Sequence, residues 1–244
     1  MLAEQADTAA YFGQLGKARA FSRRAIDSAL REGEKEPAAD YETSAALREA
    51  LFGNSADARR RLLTLASESP RPLNGGEGCD HYRAALAMAY AGDEKGAQRI
   101  ADELFNRFPE NTVTQLICVP TLRAKLAVNR DEPVKALDLL EVAAPFEFGS
   151  DDPYPVYVRG EAYLAARRAG EAVVEFRKIL DHKGIVLNEP IGALAHFQLA
   201  RAYAMQGDKA KAKAAYEDFL TLWKDADPDI PIYKQAKAEY TKLQ

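Results

Sequence analysis

Two cysteines and three histidines are the residues of this chain best suited to bind a metal ion. Cys79 and His81 lie two positions apart, whereas Cys118, His182 and His196 are isolated in the sequence. A structural zinc site needs four ligands, which usually come in closely spaced pairs. Because the sequence has neither a second pair nor an H-E-x-x-H or C-x-x-C motif, we expect no metal site and no cofactor.

Motifs for phosphoryl-transfer or nucleophilic chemistry are also missing. The glycine cluster Gly75-Gly76-Glu77-Gly78 has no lysine and no strand–loop–helix context, so it does not match a phosphate-binding loop. The H-R-D and D-F-G motifs of a protein kinase domain are absent. The paired carboxylates Asp151 and Asp152 stand in a polar, proline-flanked loop, where solvation is the simplest explanation for them. The sequence therefore predicts no catalytic residues and a protein that is not an enzyme.

A repeat of small residues predicts the elements that would position any site. Six alanines recur at intervals of 36 to 40 residues, and another small residue precedes each of them by twelve positions. Such a pair lets two antiparallel helices approach closely, and a unit of about forty residues is typical of stacked helical hairpins. The pairs are Ala6 and Ala18, Ala46 and Ala58, Ala85 and Ala97, Ala124 and Ala136, Gly160 and Ala172, and Ala200 and Ala212.

Turn signals agree with a helix–turn–helix unit followed by a longer loop. Tight turns are predicted at Gly53-Asn54, Gly92-Asp93 and Gly207-Asp208, and looser ones at Asn129-Arg130-Asp131 and Arg168-Ala169-Gly170. A two-helix unit cannot bury its apolar face alone, so stacking must supply the partner. The sequence thus predicts a single all-α domain over 1–244, with units at about 1–33, 39–68, 78–109, 112–145, 153–183 and 190–226 and a capping helix at 230–243.

The repeat also bears on the state of the cysteines. Cys79 and Cys118 are 39 residues apart, which is one repeat length, so both occupy the same position in neighbouring units. Equivalent atoms in stacked hairpins lie about 10 Å apart, whereas a disulfide needs roughly 6 Å between Cα atoms. We therefore predict two free thiols.

In the last two units the pair of small residues is followed by an aromatic and then by an apolar residue: Phe176 and Ile179 follow Ala172, and Tyr216 and Phe219 follow Ala212. These two units resemble the tetratricopeptide repeat. The earlier units depart from that motif at Glu49 and Pro120. The resemblance implies a right-handed α-α superhelix whose first helices line a concave groove and whose second helices form its back. The matching residues are Gly160, Tyr163, Ala172, Phe176 and Ile179, then Leu199 to Tyr203, Gln206-Gly207-Asp208, Ala212, Tyr216 and Phe219.

A narrower resemblance involves the stretches ILDHKGIVLNEP at 179–190 and FLTLWKDADPDIP at 219–231. They look like parts of the C-terminal tetratricopeptide region of bacterial, especially acidobacterial, multidomain proteins. In those proteins the region follows a eukaryotic-like Ser/Thr protein kinase domain or a winged-helix DNA-binding domain. The resemblance is strongest over residues 154–244, and it implies that the chain is the docking or sensory part of a larger signalling protein.

The superhelix implied by the resemblance places a groove surface at fixed positions before each alanine of the repeat. That surface is mainly aromatic and aliphatic, and it lacks the Lys/Asn/Lys/Arg carboxylate clamp of co-chaperones in this family. An extended or helical apolar peptide would fit it better. Alternatively, the aromatic side chains pack against neighbouring helices. The candidate partner-binding residues are Tyr82, Leu86, Thr121, Lys125, Tyr154, Tyr157, Glu161, Phe197 and Arg201.

Composition and charge limit the partners and the location. The 33 basic and 37 acidic residues nearly cancel, with a net charge of −4 and a pI near 5.6, and no long run of one sign occurs. We therefore expect no direct nucleic-acid partner. The N-terminus has no basic region before an apolar stretch, and no apolar stretch is long enough to cross a bilayer. These features predict a cytoplasmic chain without a membrane segment.

Two functions are compatible with these observations. The first is a non-catalytic scaffold that binds a peptide or partner protein in its concave groove. The alternative is a small-molecule-sensing domain that controls an attached effector domain. Three enlarged loops, 67–78, 144–154 and 181–192, connect successive units along one edge, and they are either a further binding face or neutral variation in surface loops.

Overall fold

The computed structural model describes residues 1–68, 81–149 and 153–243, and it is all-helical in these ranges. The predictions for Gly75–Gly78, Cys79, Asp151 and Asp152 fall outside the described residues. No helix within the described ranges is both long and apolar enough to cross a membrane. The described α-helices are α1 (Leu2–Tyr11), α2 (Leu15–Arg31), α3 (Lys35–Leu51), α4 (Ser55–Glu68), α5 (Tyr82–Ala91), α6 (Glu94–Arg107), α7 (Val119–Asn129), α8 (Pro133–Leu140), α9 (Tyr154–Ala165), α10 (Ala169–Asp181), α11 (Lys183–Val186), α12 (Pro190–Met205), α13 (Lys209–Leu222) and α14 (Pro231–Thr241).

Twelve of these helices pair as hairpins: α1 with α2, α3 with α4, α5 with α6, α7 with α8, α9 with α10, and α12 with α13. The predicted turns at Gly53, Gly92 and Gly207 are confirmed, and each glycine takes a left-handed conformation between two helices. Glycine adopts this conformation without the steric cost that a Cβ brings. In the predicted turn between α7 and α8, Asp131 takes it instead, with φ of 60°.

The turn between α9 and α10 differs from the prediction. Because α10 begins at Ala169, Gly170 lies inside that helix, and the left-handed residue is Arg167, with φ of 60°. The turn is closed by the Arg168 N–H, which donates to the Tyr163 carbonyl at 2.8 Å. This is the bond that commonly satisfies the last carbonyls of a helix. An exposed arginine can supply the left-handed residue here, so the nearby glycine is a misleading signal.

The small-residue pairs lie in the interior of the hairpins. Their eleven alanines are at most 1% exposed. The twelfth member, Gly160 on α9, lies against the Phe176 ring on α10, and a Cβ at this position would be 2.6 Å from that ring. These residues therefore permit the close approach that the sequence predicts for the two helices of a hairpin.

The hairpins stack, and the last one contacts the first two. Each second helix contacts the first helix of the next hairpin, and α12 also contacts α1 and α3. The Trp223 indole N–H donates to the Tyr11 carbonyl at 3.0 Å. The Asp227 N–H donates to the Gly13 carbonyl at 3.0 Å. The two ends of the described chain are thus joined by direct hydrogen bonds.

Ion pairs on the inner side strengthen this closure. Arg83 at the start of α5 pairs with Glu189 just before α12, with 2.6 Å between Nη2 and Oε1. The Tyr154 hydroxyl donates to the other oxygen of Glu189 at 3.2 Å. On the same side Arg48 of α3 pairs with Asp7 of α1. Hairpins that are distant in sequence are therefore joined by polar side-chain contacts.

The C-terminal helix α14 agrees closely with the predicted capping helix. Tyr233 and Ala236 are buried, and the helix contacts α13. It also reaches the N-terminal part of the chain, because the Ile232 N–H donates to the Phe52 carbonyl at 3.2 Å. The helix therefore covers the last hairpin and also helps to close the array.

Proline makes the first helix of the fourth hairpin irregular. Residues Thr114–Cys118 form a short π-helix, and α7 continues from Val119 with Pro120 as its second residue. Proline lacks an N–H and clashes with the carbonyl four residues before it. The wider π-turn accommodates that missing bond, so Pro120 marks the start of α7 rather than a break within it.

Cys118 is disulfide-bonded, which corrects the prediction of free thiols. The other cysteine of the chain, Cys79, lies outside the described residues. The prediction assumed that both cysteines occupy equivalent helical positions. However, Cys118 lies on the π-helix, whereas α5 begins only at Tyr82. The distance argument required helical positions for both cysteines, and α5 does not extend back to position 79.

Two of the enlarged loops contact each other in the described part of the chain. The Phe148 ring of the second loop stacks on His182 of the third, with 4.1 Å between ring centroids. The third loop also contains the short helix α11, which the sequence analysis did not predict. The shared edge expected for these loops therefore has direct support between the second and third of them.

Candidate functional site

The structure divides the nine candidate partner-binding residues into two groups. Six of them are at most 3% exposed and belong to the packed interior. The other three are charged: Lys125 is also buried, at 7% exposed, whereas the side chains of Glu161 and Arg201 are 14% and 40% exposed. The buried group is Tyr82, Leu86, Thr121, Tyr154, Tyr157 and Phe197, and the charged group is Lys125, Glu161 and Arg201.

The buried aromatics pack against neighbouring helices, which was the alternative left open by the sequence. Tyr157 meets the Phe176 ring edge-on at 5.8 Å between centroids. Phe197 lies 5.6 Å from the Phe219 ring. Aromatic pairs at such distances stabilise cores and interfaces. In this closed arrangement these rings are occupied with internal packing and do not form an open surface.

The charged residues from α7 and α9 form a compact cluster with an aromatic residue from α5. Lys125 Nζ lies 3.0 Å from Glu161 Oε2. The Tyr90 hydroxyl donates to the same oxygen at 2.9 Å. The Lys125 ammonium also lies 4.1 Å from the centroid of the Tyr90 ring, a cation–π geometry. Three successive hairpins thus contribute one side chain each.

A second cluster continues the first toward the C-terminus. Arg201 Nε lies 3.3 Å from Glu239 Oε2 on α14, and the Tyr216 hydroxyl donates to that oxygen at 2.7 Å. Gln198 accepts a hydrogen bond from Arg201 and donates one to the Tyr157 hydroxyl, both at 3.3 Å.

The Tyr157 hydroxyl accepts from Gln198 of the second cluster. The charge of Glu161 raises the pKa of Tyr157, and the charge of Arg201 lowers it. We call the set Tyr90, Lys125, Glu161, Gln198, Arg201 and Glu239 the charged face. Among its charged members, Arg201 is the most accessible, with 40% of its side chain exposed, compared with 14% for Glu161.

Sequence reasoning placed three members of the charged face and missed the others. Tyr90 and Gln198 each lie one position after a predicted groove position, so a wider helical stripe would have included them. Glu239 is on the capping helix, outside the repeat, and no sequence pattern indicates its pairing with Arg201. The contact depends on how α14 is seated against α13.

Burial and nearby carboxylates shift the pKa values of three tyrosine hydroxyls at this site. Burial is the main cause that raises the pKa of the Tyr90, Tyr157 and Tyr216 hydroxyls, and the nearby carboxylates Glu161 and Glu239 add to it. These tyrosines therefore stay protonated at neutral pH. The Tyr90 and Tyr216 hydroxyls donate to Glu161 and Glu239, whereas the Tyr157 hydroxyl accepts from Gln198. Within the described ranges, no group of three or more His, Cys, Asp or Glu residues could hold a metal ion.

The raised tyrosine pKa values predict a loss of stability at high pH. In the unfolded chain a tyrosine ionises near pH 10, whereas the folded chain holds these protons more tightly. The stabilisation is therefore complete below about pH 10 and falls as the pH rises above it. Thermal melts from pH 8 to 11 should show this decline, and Tyr90→Phe should reduce its slope. Tyr41→Phe, outside the charged face, is the control, and equal slopes in both variants would contradict the prediction.

No known protein family matches this chain. No curated protein is significantly similar to it either.

Proposed function

We propose that this chain is a non-catalytic interaction scaffold that binds a peptide or partner protein at the charged face. The observation that carries the proposal is that three separate hairpins contribute charged side chains to the charged face. Lys125 and Glu161 form a largely buried pair, and Arg201 is 40% exposed. Helical hairpin arrays commonly use surfaces assembled from successive units for recognition. The resemblance to C-terminal regions of bacterial Ser/Thr kinases and winged-helix regulators supports a docking role within a signalling protein.

The chemistry of the charged face indicates the kind of partner. Arg201 is two-fifths exposed and lies over the Phe197 ring, with 5.4 Å to its centroid. Arginine combines bidentate pairing to carboxylates with stacking, and it is enriched at binding hot spots. A peptide with an acidic side chain next to an apolar one would match this arrangement better than the wholly apolar peptide expected from the sequence.

Replacing Arg201 by alanine should weaken binding of peptides selected by the wild-type chain from a displayed peptide library by about tenfold or more, roughly 1.4 kcal/mol. The matched control is Arg123→Ala, because Arg123 also pairs with a carboxylate, Asp102, at 3.0 Å and lies over a ring, Phe105, at 4.5 Å. Fluorescence anisotropy with the selected peptides measures both variants. If both lose affinity equally, or if no peptide is selected, the charged face is not the binding site.

A double variant of Tyr157 and Phe197 cannot serve as the test of this proposal. Both side chains are 1% exposed, so their truncation would remove core packing together with any binding contact. Truncating a buried aromatic costs about 3–5 kcal/mol. Arg201 separates binding from folding because a half-exposed ion pair contributes only about 0–1 kcal/mol to stability.

The cytoplasmic location stays a prediction, and the disulfide at Cys118 counts against it. Disulfides persist in oxidising compartments and are rare in the cytosol. Thiol titration of the denatured chain, purified without reductant, distinguishes the two cases. No reactive thiol is expected if the native chain is oxidised, and two are expected if it works reduced in the cytoplasm.

A further inference from the structure

A cavity of about 350 Å³ lies between α8, α9 and α10. Sites for small ligands usually have volumes of roughly 300–1,000 Å³, so the cavity can hold a small molecule. Part of its wall is aliphatic, formed by Val134, Leu137 and Leu140 of α8. None of the nine candidate partner-binding residues lines it.

One wall of the cavity is formed by a buried arginine in a neutralised ion-pair network. Arg159 is 7% exposed, and its Nε and Nη2 donate to Glu175 Oε2 at 2.9 and 2.7 Å. Arg159 Nη2 also donates to Glu147. Lys178 pairs with both glutamates, at 3.0 and 3.1 Å. Two cations therefore balance two carboxylates, and neither glutamate needs a further cation.

The third nitrogen of this guanidinium lacks an acceptor. Among the described residues, nothing accepts a hydrogen bond from Arg159 Nη1, although the atom is buried. Burial disfavours the charged form of Arg159, but hydrogen bonds to Glu175 and Glu147 raise its pKa, so it stays charged. A buried charged donor without a partner is unfavourable and calls for an acceptor. A carboxylate would pair with it most strongly.

Groups of opposite charge line the same cavity on the side of α8. Asp138 and Glu141 lie one helical turn apart and are exposed. In the described part of the chain, neither makes an ion pair within 4.0 Å. The cavity thus combines an arginine that needs an acceptor, two carboxylates that can accept from a cation, and an aliphatic wall.

We propose that this cavity binds a small aliphatic α-amino acid. Its carboxylate would pair with Arg159, its ammonium group would pair with Asp138 and Glu141, and its side chain would lie on Leu137 and Val134. Arg159 Nη1 is shielded from solvent, so binding requires a side-chain movement. Lys178 is the side chain that we expect to move, because it is long, lines the cavity and is 31% exposed.

Calorimetric titration with L-leucine tests the proposal, using two analogues that each lack one charge. Leucinamide has no carboxylate, and N-acetyl-leucine has no ammonium group. We expect leucine to bind with a Kd below about 1 mM and to raise Tm through its preference for the native state. Both analogues should bind at least tenfold more weakly. The absence of leucine binding at 20-fold this concentration, or equal binding of leucinamide, would overturn the proposal.

Variants at the exposed carboxylates Asp138 and Glu141 test recognition of the ammonium group without removing core packing. Asp138→Asn with Glu141→Gln should weaken leucine binding at least tenfold and leave the weaker binding of N-acetyl-leucine unchanged. The control is Asp27→Asn with Glu32→Gln, which removes one exposed carboxylate on α2 and one directly after it. If the α8 double variant binds leucine as the control does, the ammonium group is not recognised here and the assignment is wrong.

Discussion

Replacing Trp223 by alanine should lower the free energy of unfolding by about 3–5 kcal/mol. Trp223 is 0% exposed, and its ring lies 5.0 Å from that of Phe52 and 4.8 Å from that of Phe219. The substitution removes this packing and leaves the Tyr11 carbonyl without its donor. Because each kcal/mol shifts Tm by roughly 2–4 °C in a chain of this size, melting should occur about 10 °C lower.

Two further variants show whether the effect comes from closure of the array. Trp223→Phe keeps most of the ring and loses only the N–H donor, so its destabilisation should be intermediate. Leu63→Ala, at a side chain that is 71% exposed, should change stability by less than about 0.5 kcal/mol. Hydrogen exchange in α1 and α2 should accelerate in Trp223→Ala because the last hairpin no longer anchors the first. Unchanged protection there would mean that Trp223 stabilises only its own hairpin.

Replacing Gly160 by leucine should cost about 3 kcal/mol or more, at the upper end for overpacked cores. A Cβ at this position would be 2.6 Å from two atoms of the Phe176 ring, which is itself 0% exposed. The ring cannot move away without displacing its neighbours, so α9 and α10 must separate. Chemical denaturation measures the loss, which should appear as a lower midpoint with little change in slope.

A second substitution, at Phe176, tests whether the clash with that ring causes the destabilisation of Gly160→Leu. Combining Gly160→Leu with Phe176→Ala should destabilise less than the sum of the single variants by about 1–3 kcal/mol, because residues in contact couple. Gly184→Leu is the control, since a Cβ there would meet no atom within 4 Å. Strict additivity in the double variant would show that the small residue at 160 does not set the approach of the two helices.

Local sequence patterns predicted much of the helical organisation. Gly53, Gly92 and Gly207 end helices where expected, because a left-handed residue is a local requirement that the residue type satisfies. The spacing of the alanine pairs likewise predicted which small residues are buried, because the periodicity of a helix is a local property. Arg167 shows the limit of such signals, because a non-glycine residue can supply the same conformation at modest cost.

The candidate site was predicted less completely than the helices. Lys125, Glu161 and Arg201 were placed on one surface because they share a repeat position. Their partners Tyr90 and Glu239 depend on the rotation and seating of whole helices, which no short pattern encodes. The disulfide of Cys118 was missed because the prediction assigned helical spacing to a cysteine that precedes its helix in the sequence.

The sequence by itself determined the all-α class, the positions of the buried small residues and most of the tight turns. These features depend on interactions within about one helical hairpin. Only the tertiary structure decided that the last hairpin meets the first two and that the predicted groove aromatics are buried. The contact between Trp223 and Tyr11 joins residues 212 positions apart. Such contacts depend on the small rotation between each hairpin and the next, added over several hairpins. No local sequence pattern therefore predicts that the last hairpin contacts the first.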